Sequence, residues 1–238
     1  AGVSQPTVSR ALRGDKSVSQ ATRERIEKIA RELHYAVDRN ASSLRSQRSN
    51  TIALLFFEDP TPDDSILILG SGTIGLCVLL LCQARGLQDI TVSEPSARRR
   101  EIAEQSGVKT VNPTDQNLEE IVMSSTQRKG VDVTFECAGE EETLNQAFAL
   151  TRRGGKISLI GHYRATPRFN IETLIVNSMS VFGPMYGHAF FDEAVKLLLE
   201  GEVDFTPLVS HWHPIEKAEE AFETASDADQ SVKVLFNP

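Results

Sequence analysis

The stretch ILILGSGTIG, Ile66 to Gly75, constrains this chain more than any other. Four consecutive apolar residues with no polar alternation read as a short strand buried on both faces, as in a parallel sheet. Gly70, Gly72 and Gly75 follow in G-x-G-x-x-G spacing, and a helical run from Ile74 to Arg85 comes next. The spacing alone is a weak signal, but a strand before it and a helix after it supply a mechanism. Gly70 permits the turn, Gly72 lets backbone N–H groups approach an anion, and Gly75 lets the helix sit close on the sheet.

The pattern that follows alternates strand and helix. The strand DITVSE ends at Glu94, a helix runs from Ala97 to Gln105, and a short strand spans Lys109 to Val111. Helix Leu118 to Thr126, strand Val131 to Glu136, helix Glu141 to Leu150 and strand Lys156 to Ile160 continue it, and a strand near Met179 to Phe182 and a helix near Phe190 to Leu199 close it. Such an order predicts an α/β fold with a doubly wound parallel Rossmann sheet, whose ligands sit at the carboxyl ends of the strands. The segments Glu136 to Gly139 and Leu159 to Tyr163 stand at two of those ends. Glu94, about 20 residues beyond the glycines, is where an acid accepts hydrogen bonds from an adenosine ribose, which favours NAD over NADP. Arg98, Arg99 and Arg100 leave two readings open, a 2′-phosphate site or a solvated helix face.

Charge divides the chain. Residues 1 to 50 carry ten Lys and Arg against five Asp and Glu, and the remainder carries 15 against 28. A basic head on an acidic body points to an anionic partner for the head alone. Cys77, Cys82 and Cys137 are odd in number and lack Cys-x-x-Cys spacing, which argues against a disulfide framework and fits a reducing cytoplasm. The longest apolar run, Ile74 to Cys82, is too short to span a bilayer. His211 and His213 flank Trp212 at i,i+2 with no acid or thiol partner, a poor metal constellation.

In the basic head, Ser4 is placed to cap a short helix with Pro6 in its first turn, and Val8, Ala11 and Leu12 form its apolar face. Its other face offers Gln5, Thr7, Ser9 and Arg10, groups suited to base edges and phosphates. A second helix follows, with Ser19 as its cap and Ile26, Ile29, Ala30 and Leu33 as its buried stripe. The segments GVSQPTVSRAL, VSQATRERIEKIARELHY and DRNASSLRSQRS together resemble the headpiece of the lactose-repressor (LacI) family over about residues 1 to 58. The resemblance implies a helix-turn-helix in which Gln5, Pro6 and Arg10 face bases, while Ser4, Thr7, Ser9, Ser19 and Thr22 hold the phosphate backbone. Leu44 is then either the hinge leucine that wedges into a minor groove or an apolar contact in a linker. Only the end of that family's first helix is present, so the helical segment is incomplete. DNA binding is expected to be weak, electrostatic and salt-sensitive.

From about residue 64 the order GSGTIGL, VSEPSARRREIAE, GVDVTFECAG, LTRRGGKISLIG, SMSVFG and SVKVLFNP resembles the C-terminal part of zinc-dependent medium-chain alcohol and polyol dehydrogenases. The resemblance implies an NAD site in which Gly70, Ser71, Gly72, Thr73, Ile74 and Gly75 hold the pyrophosphate and Glu94 and Arg99 serve the adenosine ribose. Cys137, Ala138, Gly139, Gly161 and His162 flank the nicotinamide. Cys137 reads as a nucleophile or as a small buried residue. The family's zinc ligands and proton relay come from an N-terminal domain that has no counterpart in these residues, so no catalytic residue is expected here. The strand near Met179 to Phe182 resembles the family's dimer edge, which suggests a homodimer. The two resemblances meet at about Asp63 to Ser65, giving a chimeric plan. It comprises head and hinge at 1–48, a linker with an orphan strand at 49–64, an NAD-binding domain at 65–208, and a C-terminal segment at 209–238 short of a packing surface.

Overall fold

The computed structural model describes residues 3–12, 18–32, 60–184, 191–201 and 203–237. Leu44, the hinge and the strand expected at Thr51 to Phe57 lie outside the described residues. The chain divides into two units, Ala1–Ser49 and Asn50–Pro238.

In the first unit, helix α1 (Gln5–Leu12) and helix α2 (Gln20–Glu32) pack through buried Ala11, Val18 and Ile26, with Val3 and Val8 against them. The backbone carbonyl of Ser4 accepts from Thr7 and Val8, so α1 starts where its cap residue predicts. Ser19 caps α2, its hydroxyl oxygen accepting from the Thr22 N–H at 3.4 Å.

The second unit is built on a parallel sheet of β1 (Ile66–Leu69), β2 (Ile90–Ser93), β3 (Lys109–Val111), β4 (Val131–Glu136), β5 (Thr151–Leu159) and β6 (Ser180–Phe182), in the spatial order β3-β2-β1-β4-β5-β6. Helices α3 (Thr73–Ala84), α4 (Ala97–Gln105), α5 (Leu118–Ser125) and α6 (Glu141–Leu150) connect the strands, and α7 (Ile171–Val176) precedes β6. Both edges of β1 are used, one by β2 and the other by β4. Its side chains alternate between two cores, as the unbroken apolar run requires. Ile66 and Ile68 join Leu76, Leu79 and Phe135 on one face, and Leu67 and Leu69 join Leu144, Ala147 and Ile157 on the other.

Helix α8 (Phe191–Glu200) leads on to a second, two-stranded parallel sheet of β7 (Val209–Pro214) and β8 (Lys233–Asn237), joined by α9 (Ala218–Ser226). The C-terminal segment thus forms a β-α-β unit of its own, and Leu208 and Val232 reach the first core. Trp212, Ile215 and Phe222 nevertheless remain more than half exposed. Two further differences from the sequence reading concern short elements. Strand β5 begins at Thr151 and not Lys156, because the chain stays paired with β4 through an irregular register around Val131 and Val133. The short helix α7 has no buried residue and therefore no apolar period to reveal it.

At the amino ends of the strands, Asp132 accepts from the Ser65 N–H (2.8 Å) and hydroxyl (2.7 Å) and pairs with Arg152. Burial alone would raise its carboxyl, but the Arg152 and Ser65 hydrogen bonds outweigh that and hold it below the ordinary aspartate range. A depressed folded-state pKa stabilises above the unfolded value and loses that contribution as pH falls. Asp132→Asn is therefore expected to lower the urea midpoint at pH 7, with the gap from wild type narrowing below about pH 4. An equal gap at pH 7 and pH 3 would refute the assignment.

Candidate dinucleotide site

The carboxyl ends of β1, β2, β4 and β5 converge at the point where the strand order reverses, between β1 and β4. Gly70 leaves β1 with φ +91°, in the left-handed region that glycine tolerates, and its N–H donates to Ser93 O at 2.8 Å. A Cβ on Gly75 would overlap the Gly70 carbonyl oxygen, so α3 starts against the strand end only because that residue is glycine. Gly72 caps α3 without any side-chain hydrogen bond, which leaves the helix-start N–H groups to an external anion. Thr73 is partly exposed and Ile74 is exposed at this turn, while Ser71 is buried.

The Glu94 carboxylate is buried. Its Oε2 accepts from the Ser71 N–H at 2.7 Å, and its Oε1 accepts from the Ser96 N–H at 3.0 Å. The acid is thus a brace between the β2 end and the glycine turn, a role its position in the sequence did not disclose. The three arginines separate. Arg98 pairs with Glu101 on an exposed face, and Arg100 donates to the carbonyls of Glu94 (2.8 Å) and Pro95 (2.6 Å). The Nη1 of Arg99 stands 3.6 Å from where a Gly72 Cβ would be, which puts its cation at the turn.

A loop remote in sequence closes over this end. Thr73 Oγ1 donates to Val232 O (2.8 Å), Ser96 Oγ to Ala228 O (3.0 Å) and Arg99 Nε to Ser231 O (3.3 Å). Lys233 follows immediately, and its charge acts on Cys77 within α3. Neither the loop nor Lys233 could be found from motif spacing, because the contact spans 159 residues.

On the other side of the reversal, the loops after β4 and β5 press together. A Cβ on Gly139 would lie 2.6 Å from His162 O, and one on Gly161 would overlap Gly139 N. Gly70 touches the same place, since a Cβ there would meet Ala138 N at 3.1 Å. Ala138 and His162 are exposed, Gly139 is buried, and Cys137 and Gly161 are partly so. Beneath them the carboxylate of Glu136 is fully buried and accepts from Ala138 N, Gly139 N, the Thr143 hydroxyl and the Tyr163 hydroxyl. Glu136 and Tyr163 fall in the two segments that the sequence places at the strand ends, but neither was given a role of its own, and Thr143 was not singled out. An acid ending a buried strand was the available signal.

In the N-terminal unit, Ser4 Oγ lies 2.9 Å from Thr7 Oγ1, and Ser19 Oγ donates to Thr22 Oγ1 at 2.9 Å. Arg10 is exposed on α1, which also carries Gln5, Pro6 and Ser9.

Residues 73–200 match the family described as "Zinc-binding dehydrogenase", more than half of the chain. The chain belongs to the zinc-binding dehydrogenases. Residues 1–38 of this dehydrogenase chain match a second family, "Bacterial regulatory proteins, lacI family", so two families meet in one polypeptide. It is 31% identical over 183 residues to the L-idonate 5-dehydrogenase of Vitis vinifera, covering 74% of this chain and 50% of that protein. Among solved structures it is similar to the alcohol dehydrogenase TADH from Thermus sp. ATN1, with 28% identity and a TM-score of 0.67 over 73% of this chain and 50% of that one. It is also similar to a protein from Sinorhizobium meliloti 1021 described as a zinc-binding dehydrogenase and bound to NADP, with 26% identity and a TM-score of 0.66 over 74% and 52% of the two chains. The dehydrogenase chain spans about half the length of the curated relatives it matches.

The three thiols of this dehydrogenase sit in apolar surroundings. Burial pushes the Cys82 thiol up to about 12, and burial followed by the charge of Glu136 holds the Cys137 thiol well above the ordinary range. A raised thiol is poor in thiolate at neutral pH and reacts slowly. Iodoacetamide at pH 8 is therefore expected to label Cys82 and Cys137 of the native chain at least about a hundredfold more slowly than in 6 M urea. Rapid labelling of native Cys137 would restore its reading as a nucleophile.

Proposed function

We propose that the dehydrogenase part of this chain binds NAD(H), with the pyrophosphate at the Gly70–Gly75 turn and the nicotinamide beside the loops at Cys137–Gly139 and Gly161–His162. The observation that carries this reading is the start of α3. It is uncapped by any side chain, approachable because Gly72 has no Cβ, and has the Arg99 guanidinium at its side. The residues present fit the group, since a helix start with free N–H groups and a neighbouring cation suits a pyrophosphate. When bound, the nicotinamide ring exchanges a hydride with a carbon centre; this chain's residues hold and orient it. Ser71, Thr73 and Ile74 shape the turn, Glu94 braces it beside the adenosine ribose, and Cys137, Ala138, Gly139, Gly161 and His162 line the nicotinamide end. NAD is preferred to NADP in this reading, because the Glu94 charge at the end of β2 disfavours a 2′-phosphate.

Isothermal titration of the full chain is expected to show NADH binding, with NADPH weaker and Arg99→Ala lowering NADH affinity by about tenfold. Absence of binding at millimolar NADH would overturn the proposal. Hydride exchange with an alcohol also needs a group that ionises the hydroxyl, a task performed in many such enzymes by a metal. We assign that task to no residue of this chain, so the chain alone is expected to yield no NADH from NAD+ and a polyol; steady growth of absorbance at 340 nm would refute this.

A second reading is a DNA-binding regulator responsive to NAD(H), supported by the lacI-family match, the exposed Arg10 and the hydroxyl pairs at the starts of α1 and α2. Pairing of two heads would use β6, the terminal strand of the sheet among the described residues, which follows α7 with its exposed Ile171, Ile175 and Val176. This reading expects a gel shift with a palindromic operator pool that weakens steeply between 50 and 200 mM salt, as phosphate contacts do. No salt-dependent shift would remove it.

A further inference from the structure

Glu136 ends β4 with its side chain fully buried. Its Oε1 accepts from the N–H groups of Ala138 (2.9 Å) and Gly139 (2.8 Å) and from the Thr143 hydroxyl (2.8 Å), and its Oε2 accepts from the Tyr163 hydroxyl (2.6 Å). Ala138 and Gly139 present N–H groups that can only donate, the hydroxyls of Thr143 and Tyr163 complete the set, and Thr143 Oγ1 also lies 3.0 Å from Glu140 O; an acceptor-only carboxylate suits such a site. All four are also uncharged. Among the described residues no Lys or Arg forms an ion pair with Glu136. Dipoles lower the cost of burying the charge but leave its net field in place, and that field is screened least where water is excluded. Two neighbours register it. The Tyr163 phenol and the Cys137 thiol are both pushed up, first by burial and then in part by the Glu136 charge, which opposes a second anion there.

A nicotinamide ring carries a positive charge when oxidised and none when reduced. On the reading above, that ring lies against the two loops that Glu136 supports, and the present inference rests on that reading. We propose that Glu136 sets the oxidation-state preference of this site, its buried and unpaired negative charge favouring NAD+ over NADH. A merely structural acid would hold the loops at Gly139 and Gly161 and affect both forms alike. A charged one separates them.

The test measures dissociation constants of the full chain for NAD+, NADH and ADP-ribose by calorimetry. In Glu136→Gln the amide oxygen still accepts from Ala138, Gly139 and Thr143, and its NH2 donates to the Tyr163 oxygen, so the loops keep their ties. The ratio of the NAD+ to the NADH dissociation constant is expected to rise about tenfold in that variant, with ADP-ribose unchanged. Tyr163→Phe removes a tie and keeps the charge, so it should leave the ratio within about twofold of wild type. An unmoved ratio in Glu136→Gln, with all three ligands still bound, overturns this inference and spares the dinucleotide reading; failure of wild type to bind any of the three overturns both. If Glu136→Gln does not fold, wild type is compared on NAD+ and its uncharged isostere benzamide adenine dinucleotide. Binding of NAD+ about tenfold tighter supports the charge role, and equal or weaker binding of NAD+ overturns it.

Discussion

Strand β1 has no side open to water, and the rest of the dehydrogenase unit follows from that. Its two faces bury alternate residues in separate cores, and its two edges are taken by β2 and β4. A strand enclosed in this way must be followed by a connection that leaves from its end, and the helix that does so can start at once only if nothing projects between it and the strand. Gly75 meets that condition against the Gly70 carbonyl. Reversal of strand order between β1 and β4 then opens a crevice at the same end, into which the start of α3 points. A helix start with no side-chain cap at that crevice thus follows from burying four apolar residues completely.

The same enclosure bears on the join between the two families. With both edges of β1 taken by β2 and β4, no place beside it is left for a further strand. The part matched to the regulatory family ends at residue 38, the part matched to the dehydrogenases begins at residue 73, and β1 starts at Ile66.

What was legible in the sequence was local. The apolar run of β1, the glycine spacing and the cap at Ser19 depend on neighbours within a few residues, so reading the chain in order finds them. Contacts across the fold were not legible. Nothing near Val232 announces that its carbonyl takes the Thr73 hydroxyl, and three successive arginines look alike until α4 directs one to the turn, one to solvent and one to backbone carbonyls. The start of β5 was missed for a related reason: a Cβ on Gly155 would collide with the Thr151 methyl at 2.5 Å, so that glycine marks close packing within the strand, which neighbours in sequence do not reveal.

Glu94 and Glu136 show how far a shared local rule reaches. Each stands at the carboxyl end of a buried strand, and each accepts a hydrogen bond from the N–H two residues ahead, Ser96 for one and Ala138 for the other. Each then crosses to the loop of the adjacent strand, Glu94 to Ser71 after β1 and Glu136 to Tyr163 after β5. In the sheet order β2-β1-β4-β5, the two acids therefore tie the four loops around the crevice into two pairs. They differ in what stands nearby. Glu94 has the guanidinium of Arg100 on its own backbone carbonyl, and Arg99 stands at the glycine turn that Glu94 braces. Ala138, Gly139, Thr143 and Tyr163, which donate to the Glu136 carboxylate, are uncharged. Equivalent braces in one sheet thus differ in their surroundings, with arginines around the Glu94 turn and, among the described residues, uncharged hydrogen-bond donors at Glu136.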